Sequence, residues 1–279
     1  MRMDAYAKIN LCLSVKGKNS YGHHDLEMVM VPISLYDSID MDIADEFSFT
    51  SNVPRLPVDE TNTIIKTIDV MRSMFNFKQQ FKVRLFKIIP SRAGLAGGSS
   101  NAAATIKLLD KLLDLRLTYD QKIDIAKKVG ADVPFCLFNK PAYVTGIGEK
   151  LQFIDTNMKL NMILVKPYAG ISTKEAFANV DMNNIKQYDC YKVIDALLDS
   201  DYDKLCNNLG NSLEDISFSM LDSIKQIKEE LLSLGFDGVL MTGSGATVYG
   251  ISKDINLLNR AQVIFRDKKY FARIVKMIV

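Results

Sequence analysis

The chain has 279 residues, of which 48% are hydrophobic and 24% are charged, and its formal net charge at pH 7 is +2. This composition is typical of a globular protein and excludes both an intrinsically disordered chain and a strongly basic nucleic-acid-binding protein. The length predicts one large domain or two smaller ones, and we favour two.

Cysteine usage and hydropathy exclude several further classes of protein. Cys12, Cys136, Cys190 and Cys206 form no C-x-x-C pair and the two histidines are adjacent, so the spacing of a zinc site is absent and we expect reduced thiols. No apolar run approaches the roughly 18 to 20 residues that span a bilayer, and INLCLSV is too polar for the core of a signal peptide. These features indicate a cytoplasmic protein.

A strand is predicted from Ala7 to Val15, where apolar and polar residues alternate with the period of a half-buried strand. Lys8 and Asn10 share the polar face of this strand, about 7 Å apart. Both could therefore reach one ligand, although a lysine on a polar strand face is usually only solvated.

The next part of the chain alternates predicted helices and strands. Thr61 or Asn62 can cap a helix whose apolar residues follow helical spacing, and a strand follows in QFKVRLFKI. A further helix is predicted from about Ser99, with its apolar residues on one face.

Two signals then predict another helix and its end. Thr118 and Gln121 form a capping box, and Gly130 lies where that helix stops. ADVPFCLF follows as a loop leading into a strand, because Pro134 biases the preceding residue towards extended backbone.

The same alternation begins again after residue 158. We predict a buried strand in MILVKP, a helix that starts at Ser172, a long helix through MLDSIKQIKEELLSLG and two strands around VLMTGSGATVYGI. We therefore predict two domains, residues 1–158 and 159–279, of mixed α and β structure.

Glycines and serines lie directly before the helix predicted at about residue 99. The unpaired N–H groups of a helix start attract anions, and Gly94, Gly97 and Gly98 permit close backbone approach. Ser99 and Ser100 add hydroxyls for phosphate oxygens or Mg²⁺. The pattern favours a phosphate-binding loop over a flexible turn with a serine cap, and it matches neither the P-loop nor the dinucleotide motif.

TGSGAT, residues 242–247, is a second glycine turn between two apolar strands. Taken alone it predicts a hairpin. Together with the first loop, its residues Gly243, Ser244 and Gly245 could supply further backbone donors for a phosphate.

These features together resemble the GHMP small-molecule kinases, whose second motif has the form P-x-x-x-G-L-x-x-x-S-S. Every fixed position of this motif is matched, by Pro90, Gly94, Leu95, Ser99 and Ser100. AYAKINLCLSV with GHHDLEMVM, GADVPF and TGSGAT carry a narrower resemblance to the branch of the family that acts on a cytidine diphosphate substrate. The likeness runs through essentially the whole chain and is weakest between about residues 180 and 235.

The resemblance implies an α+β protein with the two-domain GHMP kinase fold, a ribosomal-protein-S5-domain-2-like N-terminal domain and a ferredoxin-like C-terminal domain. It implies that ATP, with Mg²⁺, phosphorylates the 2-hydroxyl of cytidine diphosphate methylerythritol in the non-mevalonate isoprenoid pathway. The expected partner is this small-molecule substrate, with no nucleic acid and no membrane. We expect a monomer or a weak homodimer.

The resemblance also assigns the catalytic residues. Asp132 is the expected general base, although an isolated aspartate after a helix stop would otherwise be interpreted as a turn or capping residue. Lys8 is expected to keep that carboxylate ionised and to stabilise charge on the transferred group. Asn10 is expected to orient the substrate.

Four residues match positions of the cytidine pocket. His24 is expected to hydrogen-bond the cytosine, while His23 stands where the family usually has a tyrosine that stacks on the base, so the sequence departs from the family pattern there. Thr173 and Phe177 match positions on the other side of the pocket, and Phe177 could equally be a core residue.

A larger set of residues is expected at the ATP site. It consists of Asn62, Lys87, Pro90, Gly94, Leu95, Ala96, Gly97, Gly98, Ser99, Ser100, Gly243, Ser244 and Gly245. Within it, Asn62 is also a good helix cap and Lys87 could be an ordinary surface strand residue. Mg²⁺ takes few protein ligands, so Ser99 or Ser100 could contact it, or neither, and we assign no metal ligand.

Two rival interpretations stay open at this point. Another GHMP kinase, acting on homoserine or mevalonate, is disfavoured by GHHDLEM and GADVPF. A non-catalytic nucleotide- or RNA-binding protein on the same S5-like fold should lack Lys8 or Asp132 and show a concentrated basic face.

Overall fold

The structure is a computed structural model that describes residues 1–18, 22, 24–54 and 56–279. The chain divides into two compact units. Unit 1 comprises Met1–Ala7, Leu35–Pro90 and Ala96–Asn139, and unit 2 comprises Lys8–Ser34, Ser91–Leu95 and Lys140–Val279. The domain boundary after residue 158 stays a prediction.

Two long strands, β1 (Arg2–Lys18) and β2 (His24–Ala44), contribute to both units. In unit 1 the end of β2 pairs antiparallel with β4 (Gln80–Phe86), from Ser38 opposite Phe86 to Ala44 opposite Gln80. Strand β3 (Ser48–Ser51) pairs parallel with β4. Burial alternates strictly along β4, as its sequence predicts for a strand with one face on the core.

The helices of unit 1 pack on one another. They are α1 (Thr63–Phe75), α2 (Gly97–Leu112), α3 (Tyr119–Val129) and α4 (Val133–Phe138). Helix α2 contacts the other three, and its Ala102, Ala103 and Ala104 are all buried, since small side chains allow close packing on several faces.

The helix caps test several predictions. Asn62, rather than Thr61, caps α1, because its side chain accepts a hydrogen bond from the Ile64 amide. The predicted capping box of α3 is confirmed, and so is Gly130 at its end. Helix α2 begins two residues before the predicted start at Ser99.

The prediction for ADVPFCLF is wrong, because residues 133–138 form helix α4. Pro134 lies in the first turn of this helix, where its missing N–H has no intrahelical partner to lose and its fixed φ suits the helix. The bias that proline imposes on the preceding residue is overridden here by the packing of α4 against α2 and α3.

Unit 2 contains most of the remaining elements. In chain order they are β5 (Ala142–Gly146), β6 (Lys150–Phe153), β7 (Asn161–Lys166), α5 (Thr173–Ala178), α6 (Cys190–Leu198), α7 (Tyr202–Asn207), β8 (Gly210–Asn211), α8 (Glu214–Met220), α9 (Asp222–Ser233), β9 (Gly238–Met241), β10 (Val248–Ile251), α10 (Ile255–Asp267) and β11 (Phe271–Lys276). The strand in MILVKP, the start of α5, the long helix α9 and the strand pair β9–β10 confirm the predictions for this half of the chain.

Two sets of strands organise unit 2. Strands β11, β7, β10 and β9 form a four-stranded sheet in that order, antiparallel throughout. Helix α10 packs against β11 and β7, and α9 packs against β9 and β10. In the other set, the start of β2 pairs with β5, β5 pairs with β6, and β1 pairs parallel with β8.

Strand β1 differs from its prediction in burial. All residues from Ala7 to Val15 are buried, including the polar positions, although alternation predicts one solvated face. Within unit 2, Thr242 and Tyr249 both reach the strand at Asn10. The polar face of β1 is thus covered by protein rather than water.

The expectation of four reduced thiols is wrong for two of them. Cys12 on β1 and Cys190 at the start of α6 form a disulfide with a Cα–Cα separation of 5.5 Å, across 178 residues of sequence. Cys136 and Cys206 are not part of this disulfide. No helix within the described ranges combines the length and the apolar character needed to cross a membrane.

Thiol titration tests the disulfide. Denatured protein without reductant should expose two thiols, those of Cys136 and Cys206, and four after reduction. In the folded protein both should react slowly with iodoacetamide at about pH 8, because Cys136 is buried and burial, aided by Asp237, raises the pKa of Cys206 to about 11. Four thiols in unreduced, denatured protein would contradict the pairing.

Candidate active site

Lys8 and Asn10 lie side by side on β1 in unit 2, and both side chains are buried. The Lys8 Nζ donates a hydrogen bond to the Asn10 Oδ1 at 2.7 Å. The Asn10 backbone N–H donates to the Thr242 hydroxyl at 3.0 Å, and the Tyr249 hydroxyl donates to the Asn10 carbonyl oxygen at 3.0 Å. The prediction that Lys8 and Asn10 share a face is confirmed, and Lys8 is not a solvated surface lysine.

The side-chain amide nitrogen of Asn10 is a hydrogen-bond donor buried within unit 2. Its Nδ2 is buried and has no hydrogen-bond partner among the residues that the structure describes. A buried donor left unpaired costs about 1–3 kcal/mol, which a ligand oxygen would recover. Tyr249 helps to hold Asn10 in place through its hydrogen bond to the Asn10 carbonyl oxygen. Burial, and then the charge of Glu214, raises the pKa of the Tyr249 phenol well above the usual value, so the hydroxyl stays protonated and can donate this bond.

The first glycine segment, residues 91–95, packs against the second glycine loop, residues 242–247, within unit 2. Gly94 has φ of +71°, and a Cβ there would collide with the Thr242 carbonyl oxygen. The Thr242 hydroxyl lies 3.4 Å from the Gly94 carbonyl oxygen, to which it donates. A Cβ at Gly243 would lie 3.0 Å from that same oxygen. These glycines are therefore required by the close approach of two backbones.

Two polar side chains of unit 2 form hydrogen bonds with carbonyl oxygens in and next to the second glycine loop. The Asn211 Nδ2 donates to the carbonyl oxygens of Met241 and Gly243, both at 2.8 Å. The Ser217 hydroxyl donates to the Ser244 carbonyl oxygen at 3.1 Å. Sequence reasoning missed Asn211 and Ser217, because nothing in the chain marks polar residues some 30 positions away as partners of this loop.

The start of helix α2 carries backbone donors that no side chain occupies. Its N-cap residue Ala96 has left-handed backbone, with φ of +55°, and no side chain of the described residues caps this end. Gly97 follows, where a Cβ would lie 2.9 Å from the Ile89 Cγ2 and 3.2 Å from the Lys87 Nζ. The amides of the first turn are thus suited to an anion, as the sequence predicts.

The two serines of the motif have different surroundings. Ser100 is 2% exposed, and its hydroxyl donates to the Tyr6 carbonyl oxygen at 2.5 Å. Ser99 is only half-buried. The Ser100 hydroxyl is therefore engaged within unit 1, which leaves Ser99 as the serine better placed for a ligand.

Lys87 is a buried ion-pair residue rather than a surface residue. Its Nζ lies 2.8 Å from the Asp37 Oδ2, and the two side chains are 9% and 0% exposed. The Asp37 Oδ1 also accepts hydrogen bonds from the Ile88 and Ile89 amides, at 2.6 and 2.7 Å. Asp37 thus fixes the chain that leads from β4 towards the first glycine segment, a role that sequence reasoning missed because the partners are 50 residues apart.

Other predicted ATP residues also have structural roles. The Asn62 side chain caps α1 and donates to the Pro57 carbonyl oxygen at 2.8 Å. Leu95 is 1% exposed and belongs to the core, while Pro90 is half-buried. Whether these residues contact ATP stays a prediction.

Asp132 immediately precedes helix α4 in unit 1 and is half-buried. Its side chain makes no capping hydrogen bond with this helix. Asp132 is therefore not a side-chain cap of α4, whereas the alternative of a turn residue agrees with its place in the turn before this helix. Asp132 belongs to unit 1, whereas Lys8 and Asn10 belong to unit 2.

Unit 2 brings together three of the predicted cytidine residues. The His24 and Phe177 rings stack with centroids 5.4 Å apart and planes at 30°. Phe177 is the penultimate residue of the short helix α5. This helix begins with Thr173, whose hydroxyl lies 2.8 Å from the Ser244 hydroxyl. Phe177 is half-buried, so its ring is not simply core. His23 lies outside the described residues.

Two domain families match the sequence. Residues 62–140 match the N-terminal domain of the GHMP kinases, and residues 193–270 match the C-terminal domain of the GHMP kinases. A Bacillus cereus (strain B4264) protein named 4-diphosphocytidyl-2-C-methyl-D-erythritol kinase is 38% identical over 249 residues, which is 88% of this chain and 86% of the relative. The chain belongs to the GHMP kinases.

Further comparisons agree with this kinase family. A protein of Streptococcus equi subsp. zooepidemicus (strain MGCS10565), which carries the same kinase name provisionally, is 41% identical over 92% of this chain and 91% of its own. A crystal structure of 4-(cytidine 5'-diphospho)-2C-methyl-D-erythritol kinase superimposes with a TM-score of 0.83, at 26% identity over 99% of both chains. Homoserine kinase from Cytophaga hutchinsonii, 15% identical over 100% of this chain and 95% of its own, shares the fold with a TM-score of 0.75. The α+β GHMP kinase fold and the phosphotransferase class are thus established.

A pair of glycine variants of this kinase tests the packing of the two glycine segments. Gly94→Ala should destabilise the protein by about 2–5 kcal/mol, since it adds left-handed strain and an atom in the space of the Thr242 carbonyl. Gly98→Ala is the matched control, because its Cβ would meet only the Thr63 side chain at 3.4 Å, and alanine favours a helix by about 0.5–1 kcal/mol. Urea unfolding measures both, and equal stabilities would contradict this packing.

Proposed function

We propose that the chain transfers the γ-phosphoryl group of ATP to the 2-hydroxyl of 4-diphosphocytidyl-2-C-methyl-D-erythritol, within isoprenoid biosynthesis. The similarity to the Bacillus cereus kinase of that name, across 88% of the chain, carries the proposal. The 26% identity to the crystal structure of a kinase with the same substrate in its name supports it independently.

The acceptor side of the proposal rests on unit 2. His24 and Phe177 form an aromatic pair that suits the flat face of a cytosine, with Thr173 at the start of the same helix as Phe177. Asn10 offers a buried amide donor to a substrate oxygen. Lys8, held at 2.7 Å by the Asn10 Oδ1, brings a positive charge to the same face of β1.

The phosphate side of the proposal rests on the uncapped start of helix α2. The amides of Gly97, Gly98 and Ser99 would bind phosphate oxygens, and the positive end of the helix dipole would favour their charge. Gly243, Ser244 and Gly245 would add backbone contacts from the second glycine loop. Ser99 would bind with its hydroxyl, whereas Ser100 would contribute through its backbone alone, since its hydroxyl is engaged by Tyr6.

Asp132 is the proposed general base. Its carboxylate would take the proton of the acceptor hydroxyl as the new P–O bond forms, while Lys8 would stabilise the negative charge of the transferring group. Phosphoryl transfer depends chiefly on positioning and charge stabilisation, which the buried and hydrogen-bonded side chain of Lys8 can supply without reorganisation.

Mg²⁺ would be held at this site mainly by the phosphates of the nucleotide and only to a small extent by protein ligands. Among the described residues no group of three histidine, cysteine or acidic side chains could hold a metal ion. Mg²⁺ often keeps several waters and takes one or two protein ligands besides phosphates, and the half-buried Ser99 hydroxyl could provide one of them. When bound, the ion would neutralise charge on the phosphates.

Two aspartate variants test whether Asp132 is the general base. Asp132→Asn should lower kcat by about 10²–10⁴-fold with little change in stability, because the amide cannot accept the proton. Asp124→Asn, the same change at an exposed position on α3, should leave kcat unchanged. Steady-state kinetics with the cytidine substrate, alongside thermal unfolding, give both values. Near-normal turnover by Asp132→Asn would reject the assigned role.

Two serine variants distinguish a hydroxyl that binds ligand from one that stabilises the fold. Ser99→Ala should raise the KM for ATP several-fold while leaving stability unchanged. Ser100→Ala should instead cost about 1–3 kcal/mol of stability, since the Tyr6 carbonyl loses its buried donor. Kinetics and urea unfolding distinguish them, and the reverse pattern would show that the hydroxyl assignment is wrong.

A further inference from the structure

Lys166 is a buried lysine that the proposed chemistry does not use. It is the last residue of β7, the strand that lies between β11 and β10 in the four-stranded sheet, and it is 5% exposed. No carboxylate of the described residues lies within ion-pair distance of it, and burial alone lowers the pKa of its ammonium below the usual value. A buried cation without a counter-ion is costly, so its surroundings need an explanation.

The Lys166 ammonium donates hydrogen bonds to the turn that directly follows it in the chain. Its Nζ donates to the carbonyl oxygens of Pro167 at 2.8 Å, Ala169 at 3.0 Å and Tyr168 at 3.3 Å. An ammonium has three N–H donors, so these carbonyls account for all of them. The turn is thereby tied to a rigid strand of the sheet, while the Tyr168 side chain is fully exposed and adds no packing.

A backbone contact holds the far end of the same turn. At Gly170 a Cβ would lie 2.5 Å from the Arg92 carbonyl oxygen, so this glycine packs directly on the first glycine segment. Ile171, next along, is buried. Ser172 then caps helix α5, which carries Thr173 and Phe177. The path of the chain from β7 to α5 is therefore fixed at its start by Lys166 and at its end by Gly170.

We infer that Lys166 is a positioning residue that sets the affinity for the cytidine half of the acceptor substrate, by holding the 167–172 turn and hence helix α5. The inference rests on the proposed function only for the identity of the substrate. Thr173 and Phe177 depend on this turn for their placement against Ser244 and His24. Lys166 itself contacts none of these four residues through its ammonium, which is fully used by the turn.

Lys166→Met tests this role, because methionine keeps most of the length of the side chain and removes the three donors. The KM for the cytidine substrate should rise on the order of tenfold or more, since a displacement of about 1 Å at a binding group can cost 10²-fold. The KM for ATP should change by less than about twofold. Lys276→Met, the same change at the exposed last residue of β11, is the matched control and should alter neither constant.

Equal changes in both KM values, or none in that for the cytidine substrate, would overturn the inference. If Lys166→Met does not fold, Lys166→Gln, which keeps two donors, should show the same selective rise at smaller size. Hydrogen exchange provides a test without any substrate: amides of residues 168–178 should exchange faster in the variant and those of β10 should not. Unchanged exchange would overturn the positioning role, whereas a wild-type enzyme without turnover on the cytidine substrate would overturn the proposed function alone.

Discussion

The close approach of Gly94 to the Thr242 carbonyl is the constraint on which the candidate site of unit 2 depends. No residue with a Cβ fits at position 94, where φ is +71° and a Cβ would occupy the space of that oxygen. This contact places the Thr242 hydroxyl where it accepts a hydrogen bond from the Asn10 backbone N–H. The Leu95 carbonyl oxygen accepts a hydrogen bond from the Lys8 backbone N–H at 3.2 Å. Strand β1, the first glycine segment and the second glycine loop are therefore one hydrogen-bonded assembly.

Several glycines and serines of the motif thus have structural roles of their own. Gly94 serves backbone packing, and the Ser100 hydroxyl serves the Tyr6 carbonyl. Gly97 and Ser99 lie in the first turn of α2, where no side chain of the described residues caps the helix and the backbone donors suit an anion. The part of the motif at Gly94 thus serves packing, and the part at the start of α2 is the proposed phosphate-binding part.

Local signals in the sequence predicted the elements well where they were self-contained. The Thr118 capping box, the Asn62 cap and the alternation of β4 depend on neighbours within a few residues, and the structure confirms them. Non-local partners could not be predicted in this way. The Cys12–Cys190 disulfide, the Lys87–Asp37 pair and the Asn211 contacts join residues that are 178, 50 and about 30 positions apart. The helix at residues 133–138 was missed because tertiary packing outweighs the local effect of Pro134.

The most direct test of the central claim is ATP consumption by the purified protein with Mg²⁺ and one acceptor at a time: 4-diphosphocytidyl-2-C-methyl-D-erythritol, homoserine or mevalonate. We expect turnover with the cytidine substrate alone and a product phosphorylated on the 2-hydroxyl. Turnover with homoserine or mevalonate instead, or ATP binding without transfer to any of the three, would contradict it.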